Sequence, residues 1–180
     1  QAADRRHVLT RLGAPLDFLA GKSAKTDGRR TRRVVGGLLR GYDGAESGYL
    51  GLYESALALV PEGDEREFLA LFNPGPNKPT WSRAYLSRFN PAPLEYDCNR
   101  HGEVRACIGC MHCADVCPLD IRPQLTYKAI LAEEVEESLQ HGLLDGVECG
   151  LCSYVCPAKI ELTDALARAR ADYRKEQMGG

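Results

Sequence analysis

The sequence predicts an α+β chain: a small N-terminal module of short strands, a proline-rich connector and an all-helical C-terminal domain. Three observations carry this. The first 97 residues contain no cysteine, and glycines punctuate their short apolar runs. Residues 73–79 carry three prolines. All eight cysteines lie between Cys98 and Cys156, in tight groups separated by a stretch of helical periodicity.

In the N-terminal module, Ala14 to Ala20 reads as a short helix, with Pro15 early and Gly21 as its stop. Strands are expected over Thr31–Val35, Gly48–Tyr53 and Ser55–Val60. Gly36, Gly37, Gly41, Gly44, Gly48 and Gly51 read as turns between them, and they spell neither a dinucleotide fingerprint nor a phosphate loop. The basic run Arg29, Arg30, Arg32, Arg33 reads as a solvated strand edge, with phosphate or partner binding as the alternative. Glu65–Phe72 and Trp81–Phe89 are expected as short helices on either side of Asn73-Pro74-Gly75-Pro76-Asn77-Lys78-Pro79, which cannot hold regular structure. Trp81, Tyr85 and Phe89 recur at helical spacing, as core aromatics do.

The third region opens at Cys98. Pro123 is expected to start a helix running to about Gln140, with Gly142 as its stop. Leu125, Ile130, Leu131, Val135 and Leu139 are its expected apolar side, and Glu133, Glu134, Glu136 and Glu137 load the outside. A last helix is expected from about Thr163 to Gln177, with Leu162, Leu166, Ala169 and Tyr173 on one face. The expected divisions are 1–61, 62–97 and 98–180.

Bulk properties narrow the function classes. A length of 180 residues with 44% hydrophobic content supports one medium domain or two small ones with a packed core. A net charge of −2 argues against a dedicated nucleic-acid binder. No apolar run approaches the roughly 18 residues that cross a bilayer, the longest being residues 55–60. Membrane association is therefore expected only through partner subunits or the surface. The chain opens Gln1-Ala2-Ala3-Asp4-Arg5-Arg6, without Met and without a signal pattern, as expected of a piece of a longer protein.

Residues 107–118 read Cys-Ile-Gly-Cys-Met-His-Cys-Ala-Asp-Val-Cys-Pro, the C-x₂-C-x₂-C-x₃-C-P spacing of bacterial ferredoxins. Three cysteines two residues apart wrap the backbone around one cubane of iron and sulfur. The fourth points away, towards a neighbouring cluster. A shift of 39 residues maps Cys110, Cys113 and Cys117 onto Cys149, Cys152 and Cys156, and Ile121 onto Ile160. It also maps Cys107 onto Gly146, so the second site lacks its first ligand. Zinc prefers four ligands from separated pairs and fits this run poorly. Secreted disulfide frameworks spread their cysteines rather than cluster them, so a reducing compartment is implied. His112, between ligands, reads as a neighbouring group rather than a ligand.

Two iron–sulfur clusters are therefore expected. The first takes Cys107, Cys110, Cys113 and, by crossover, Cys156. The second takes Cys149, Cys152 and, by crossover, Cys117. Its fourth place falls to Cys98, or it holds a three-iron cluster, or an oxygen such as that of Asp145 completes it. The competing reading of Cys98 is an ordinary small packed residue.

At these motifs the chain resembles two families. The paired C-P segments are similar to the helical dicluster domain of the C subunit of the Rnf electron transport complex. The longer resemblance is to the C-terminal half of the A subunit of the sodium-translocating NADH:quinone reductase. Leu12-Gly13-Ala14, residues 78–87 (Lys78-Pro79-Thr80-Trp81-Ser82-Arg83-Ala84-Tyr85-Leu86-Ser87), Arg105-Ala106, Pro118-Leu119-Asp120-Ile121 and residues 152–157 carry it. It covers nearly the whole chain. It implies a β-grasp-like (SLBB-type) module in residues 1–61 and a peripheral subunit docked on the cytoplasmic face of a membrane redox complex. It further implies sodium transport and ubiquinone chemistry in that assembly, with FMN, NADH or quinone in missing segments or partner subunits. The sodium-pump subunit keeps the last two cysteines but not the first run and holds no cluster, so this chain resembles a cluster-bearing relative intermediate between the two families.

The leading expectation is a redox wire passing single electrons between a flavin or NADH site and a membrane partner. The iron–sulfur subunit of a fumarate or heterodisulfide reductase is the second, and a zinc-stapled binding module the third. No complete active site is expected in this chain.

Overall fold

The computed structural model describes residues 5–21, 30–45, 47–63, 97–98 and 104–179. The expected helices over 65–72 and 81–89, the proline-rich segment between them and Arg29 lie outside the described residues. The described residues fall into two compact units, one of residues 5–63 with 97–98 and one of residues 104–179.

The first unit holds helix α1 (Leu16–Ala20) and a three-stranded antiparallel sheet of β1 (Thr31–Val35), β2 (Tyr42–Asp43) and β3 (Leu57–Pro61), in the order β2-β1-β3. β1 faces β3 over its whole length, from Thr31 opposite Pro61 to Val35 opposite Leu57. It faces β2 only at Val34–Asp43 and Val35–Tyr42. Leu16 and Val35 are fully buried and, with Ala20, Leu59 and Val60, make the core of this unit. Gly44 is required there: a Cβ would lie 2.5 Å from Leu16 Cδ1 and 2.8 Å from a Val35 methyl.

The expected strand over 48–53 is corrected. It reduces to a single bridge between Pro15 and Tyr49, flanked by Leu16 N–H to Gly48 O (2.9 Å) and Leu50 N–H to Ala14 O (2.9 Å). Pro15 has no N–H to extend the ladder, and the chain turns at Leu52. β2, which carries no apolar alternation, was not legible.

Arg32 and Arg33 of the basic run sit on the central strand β1, not on an edge. Arg32 Nε donates to Glu62 Oε2 at 3.1 Å, its Nη2 also reaches Glu62, and Arg33 Nη2 lies 2.7 Å from Asp17. The hydrogen bond from Arg32 holds the Glu62 carboxyl below its ordinary value of 4.5. A carboxyl depressed on folding adds stability above its unfolded value and loses it as pH falls through the lower folded value. Arg32 is partly exposed, so Glu62→Gln is expected to cost about 0.5–1 kcal/mol at pH 7. Denaturant titrations of both proteins from pH 7 down to 3 should show that gap closing below about 4.5. A gap that stays constant with pH would refute the pair's contribution.

The second unit is all-helical: α2 (His112–Asp115), α3 (Pro123–Leu131), α4 (Val135–Gln140), α5 (Leu151–Tyr154) and α6 (Leu162–Gly179). α3 packs on α4 and α6, and α2 packs on α5. Cys113, Val155, Cys156, Ala158, Ile160 and Leu162 form its buried cluster, with Val116, Tyr127 and Tyr154 against it.

The single helix expected from Pro123 to Gln140 is corrected to two. Ala132 ends α3, Glu133 takes φ +60°, and Glu133 N–H and Glu134 N–H return to Ile130 O (3.2 Å) and Ala129 O (3.0 Å). That is a Schellman stop. A continuous helix would set Glu133 against Glu137 at i,i+4, a repulsive pair. Restarting puts Glu136 and Glu137 in the first turn of α4, at its positive end. The break also shifts the buried face. Leu131 and Val135 are exposed, and Pro123, Gln124, Thr126, Ala129 and Ser138 are buried instead. Thr126, fully buried, donates its hydroxyl to His141 O at 2.9 Å and ties α3 to the end of α4. α6 meets its expectation, with Leu162 and Leu166 buried and Ala169 and Tyr173 half-buried.

Candidate metal centre

The 39-residue offset extends from cysteines to backbone. α2 maps onto α5, and the first residue of α3 maps onto the first residue of α6. Left-handed residues map in pairs: Gly109 (φ +67°) on Glu148 (+52°), Met111 (+67°) on Gly150 (+82°), Asp120 (+53°) on Lys159 (+57°). Four of these six are not glycine, so the loop shape is imposed on residues that do not favour it, as at ligand-holding sites. The turn bonds repeat as well: Asp120 N–H to Cys117 O and Lys159 N–H to Cys156 O, at 3.3 and 3.1 Å.

Two cavities follow from this pseudo-symmetry. One is lined by Cys107, Cys110, Cys113 and Cys156, with Gln124 and Ile160 among its walls. The other is lined by Cys117, Cys149 and Cys152, with Gly146, Thr163 and Ile121 in the matching places. Each cavity thus takes three residues of the cysteine pattern from one segment and one from the other, with Gly146 standing where Cys107 stands in the first. The thiols line walls rather than meet at a point. Among the described residues, no three His, Cys, Asp or Glu side chains converge as ligands of a single ion. Four soft thiol donors around an apolar hollow suit a multi-iron cluster.

The thiols are buried and partnered in matching ways. Burial pushes the Cys113 thiol up to about 12, and it donates to Gln124 Oε1 at 3.3 Å. Burial also raises Cys152, whose sulfur lies 3.3 Å from the Thr163 hydroxyl. Gln124 and Thr163 are 39 residues apart, as are their cysteines. Burial raises Cys156 too. A metal cluster bound there would have to displace protons that burial makes these sulfurs hold more tightly.

Gln124, Thr163 and Arg170 were not expected at the site. The first two could have been found by carrying the offset past the cysteines. The third has no such signal. Arg170 lines the second cavity and donates from Nη1 to Gly146 O and from Nη2 to Glu148.

Other expected residues are not among those lining the two cavities. Cys98 goes with the first unit: its N–H donates to Pro61 O at 3.0 Å, and burial raises its thiol while the nearby Arg32 opposes that. Asp145 is exposed and is not among the residues lining the second cavity. His112 is half-buried, its Nδ1 3.8 Å from Asp115, and is not among those lining the first.

Residues 106–160 match the 4Fe-4S dicluster domain. Over most of its length the chain is homologous to proteins named as the A subunit of Na(+)-translocating NADH-quinone reductase. It is 34% identical to that of Pasteurella multocida over 179 residues, 98% of this chain and 40% of the relative. It is 35% identical to that of Pseudomonas aeruginosa over 172 residues, 91% and 38%. It is 31% identical to that of Rhodopirellula baltica over 160 residues, 87% and 35%. The chain thus spans at most about 40% of the length of these relatives.

Proposed function

We propose that this chain is the electron-transfer segment of a peripheral subunit in a membrane-bound NADH:quinone or NADH:ferredoxin oxidoreductase. The single observation that carries the reading is the pair of pseudo-symmetric cavities, each walled by cysteines of both segments. Cys107, Cys110, Cys113 and Cys156 hold the first cluster. Cys117, Cys149 and Cys152 hold the second. Cys98 is its fourth thiolate, since eight cysteines match two four-iron clusters; a three-iron cluster is the competing form. When bound, such clusters accept and release one electron at a time. The chain's own part is to fix the thiolates, keep water from them with Ile121, Ile160, Leu162 and Leu166, and set the polar groups of Gln124 and Thr163 beside Cys113 and Cys152.

The same reading gives residues 1–61 a β-grasp-like (SLBB-type) role, 62–97 a connecting role and 98–180 the cluster domain. Supporting it are the small antiparallel sheet and the likeness to the reductase relatives, which extends over both units. The flavin, NADH and quinone sites, with any sodium coupling, belong to segments outside this chain or to partner subunits on the cytoplasmic side. No described helix is long and apolar enough to cross a membrane; in this reading, attachment runs through those partners.

Protein purified without oxygen is expected to be brown, with iron and acid-labile sulfide near two clusters per chain. A colourless protein that holds zinc and no sulfide after reconstitution would sink the reading in favour of a zinc-stapled module.

A further inference from the structure

Three differences between the halves of the cluster domain fall in one place. At the 39-residue offset Cys107 becomes Gly146, Gly109 becomes Glu148 and Leu131 becomes Arg170. In the first half, Leu131 is exposed and Cys107 lines the cavity with the other thiols. In the second half, the Arg170 side chain is only 16% exposed and its two Nη groups grip the Gly146 carbonyl and the Glu148 carboxylate. All three residues line the cavity of Cys117, Cys149 and Cys152. A guanidinium fork fixes two acceptors in one geometry, which an ammonium cannot do.

We propose that Arg170 is the positioning residue of the second centre: it clamps the 146–148 segment, which in the first half carries the ligand Cys107, and sets a positive charge beside the cluster. The proposal rests on the iron–sulfur reading above and holds whichever group fills the fourth place. Two effects follow. Without the fork the segment between α4 and Cys149 loses its tie to α6, and the cluster is held less firmly. Reduction adds negative charge, so the guanidinium favours the reduced form. Losing it also leaves Glu148 uncompensated, and the potential of the second centre falls.

The test uses the whole chain with both clusters, purified without oxygen, as wild type, Arg170→Met, Arg170→Lys and Gly146→Cys/Arg170→Met. Iron and sulfide are counted, chelator stripping is followed, and each centre is titrated electrochemically under electron paramagnetic resonance. Arg170→Met is expected to give up the second centre's iron about 10-fold more readily, with a lowered potential in what remains. The first centre should keep its occupancy and potential, which reports an intact fold. Arg170→Lys keeps the charge without the fork, so it should hold the potential while losing retention. Gly146→Cys in the Arg170→Met background restores an anchor at the vacated place, so retention should return while the potential stays low. An Arg170→Met protein with wild-type retention and potential at the second centre overturns the proposal. So does loss of both centres that Gly146→Cys does not relieve, which would make Arg170 a folding residue only. Wild type without sulfide overturns the cluster reading instead, and the two failures are thereby distinct.

Discussion

Replacing Cys156 by serine is expected to abolish the first centre, although this residue belongs to the second cysteine segment. Cys156 is buried and lines the cavity of Cys107, Cys110 and Cys113, while Cys149 and Cys152 of its own segment line the other. The cause is local. Each four-residue helix ends one residue before a Val-Cys-Pro triplet. The Cys N–H then folds back on the carbonyl three residues earlier, Cys117 on Ala114 at 3.1 Å and Cys156 on Ser153 at 3.2 Å. That turn directs each sulfur out of its own loop. Serine is nearly isosteric but a far poorer iron ligand, so the fold is kept and a ligand is lost. Cys110→Ser and Cys149→Ser serve as standards. Iron and sulfide should fall to about half in each, because each centre depends on its own ligand set. The remaining paramagnetic spectrum of Cys156→Ser should match that of Cys110→Ser. A match with Cys149→Ser would mean that the segments do not exchange ligands.

The second large effect is expected at position 146. A Cβ built on Gly146 meets nothing nearer than Ile121 Cδ1 at 4.0 Å, and the residue is not among those with left-handed φ. Gly146→Cys therefore fits without strain and places a thiol where the offset places Cys107. With Cys98 as native fourth ligand, Cys98→Ser alone should strip or convert the second centre, and Cys98→Ser/Gly146→Cys should return it to a four-thiolate cluster. Occupancy, spectrum and potential of the second centre are the readouts. If Cys98→Ser leaves all three unchanged, Cys98 is not a ligand. The oxidised native protein should then show a three-iron signal that Gly146→Cys removes.

What the sequence revealed and what it hid divide along range. The division of the cysteines between two cavities was legible because reach along the chain is a local matter, fixed by the two or three residues between neighbouring sulfurs. α6 was legible because Leu162 and Leu166 obey the helical period with no competing signal. The division of residues 123–140 was not, because a count of apolar positions does not register the repulsion among Glu133, Glu134, Glu136 and Glu137. The strand over 48–53 failed through Pro15, a partner remote in sequence that cannot donate. Arg170 was hidden for the same reason: its partners lie 22 and 24 residues away, and nothing in a helix of alternating Ala and Arg marks which arginine turns inward.

Because the cysteine segments contribute walls to each other's cavities, neither cavity is complete in a nascent chain that stops short of Cys156. On the ribosome, the first run emerges while its fourth wall is still untranslated, and the second cavity waits further, for Thr163, Leu166 and Arg170 of α6. On the proposed ligand sets, iron delivery would follow synthesis of almost the whole domain. A chain arrested or cleaved between Gln140 and Cys149 lacks walls of both cavities, and its thiols are left more open to oxidation.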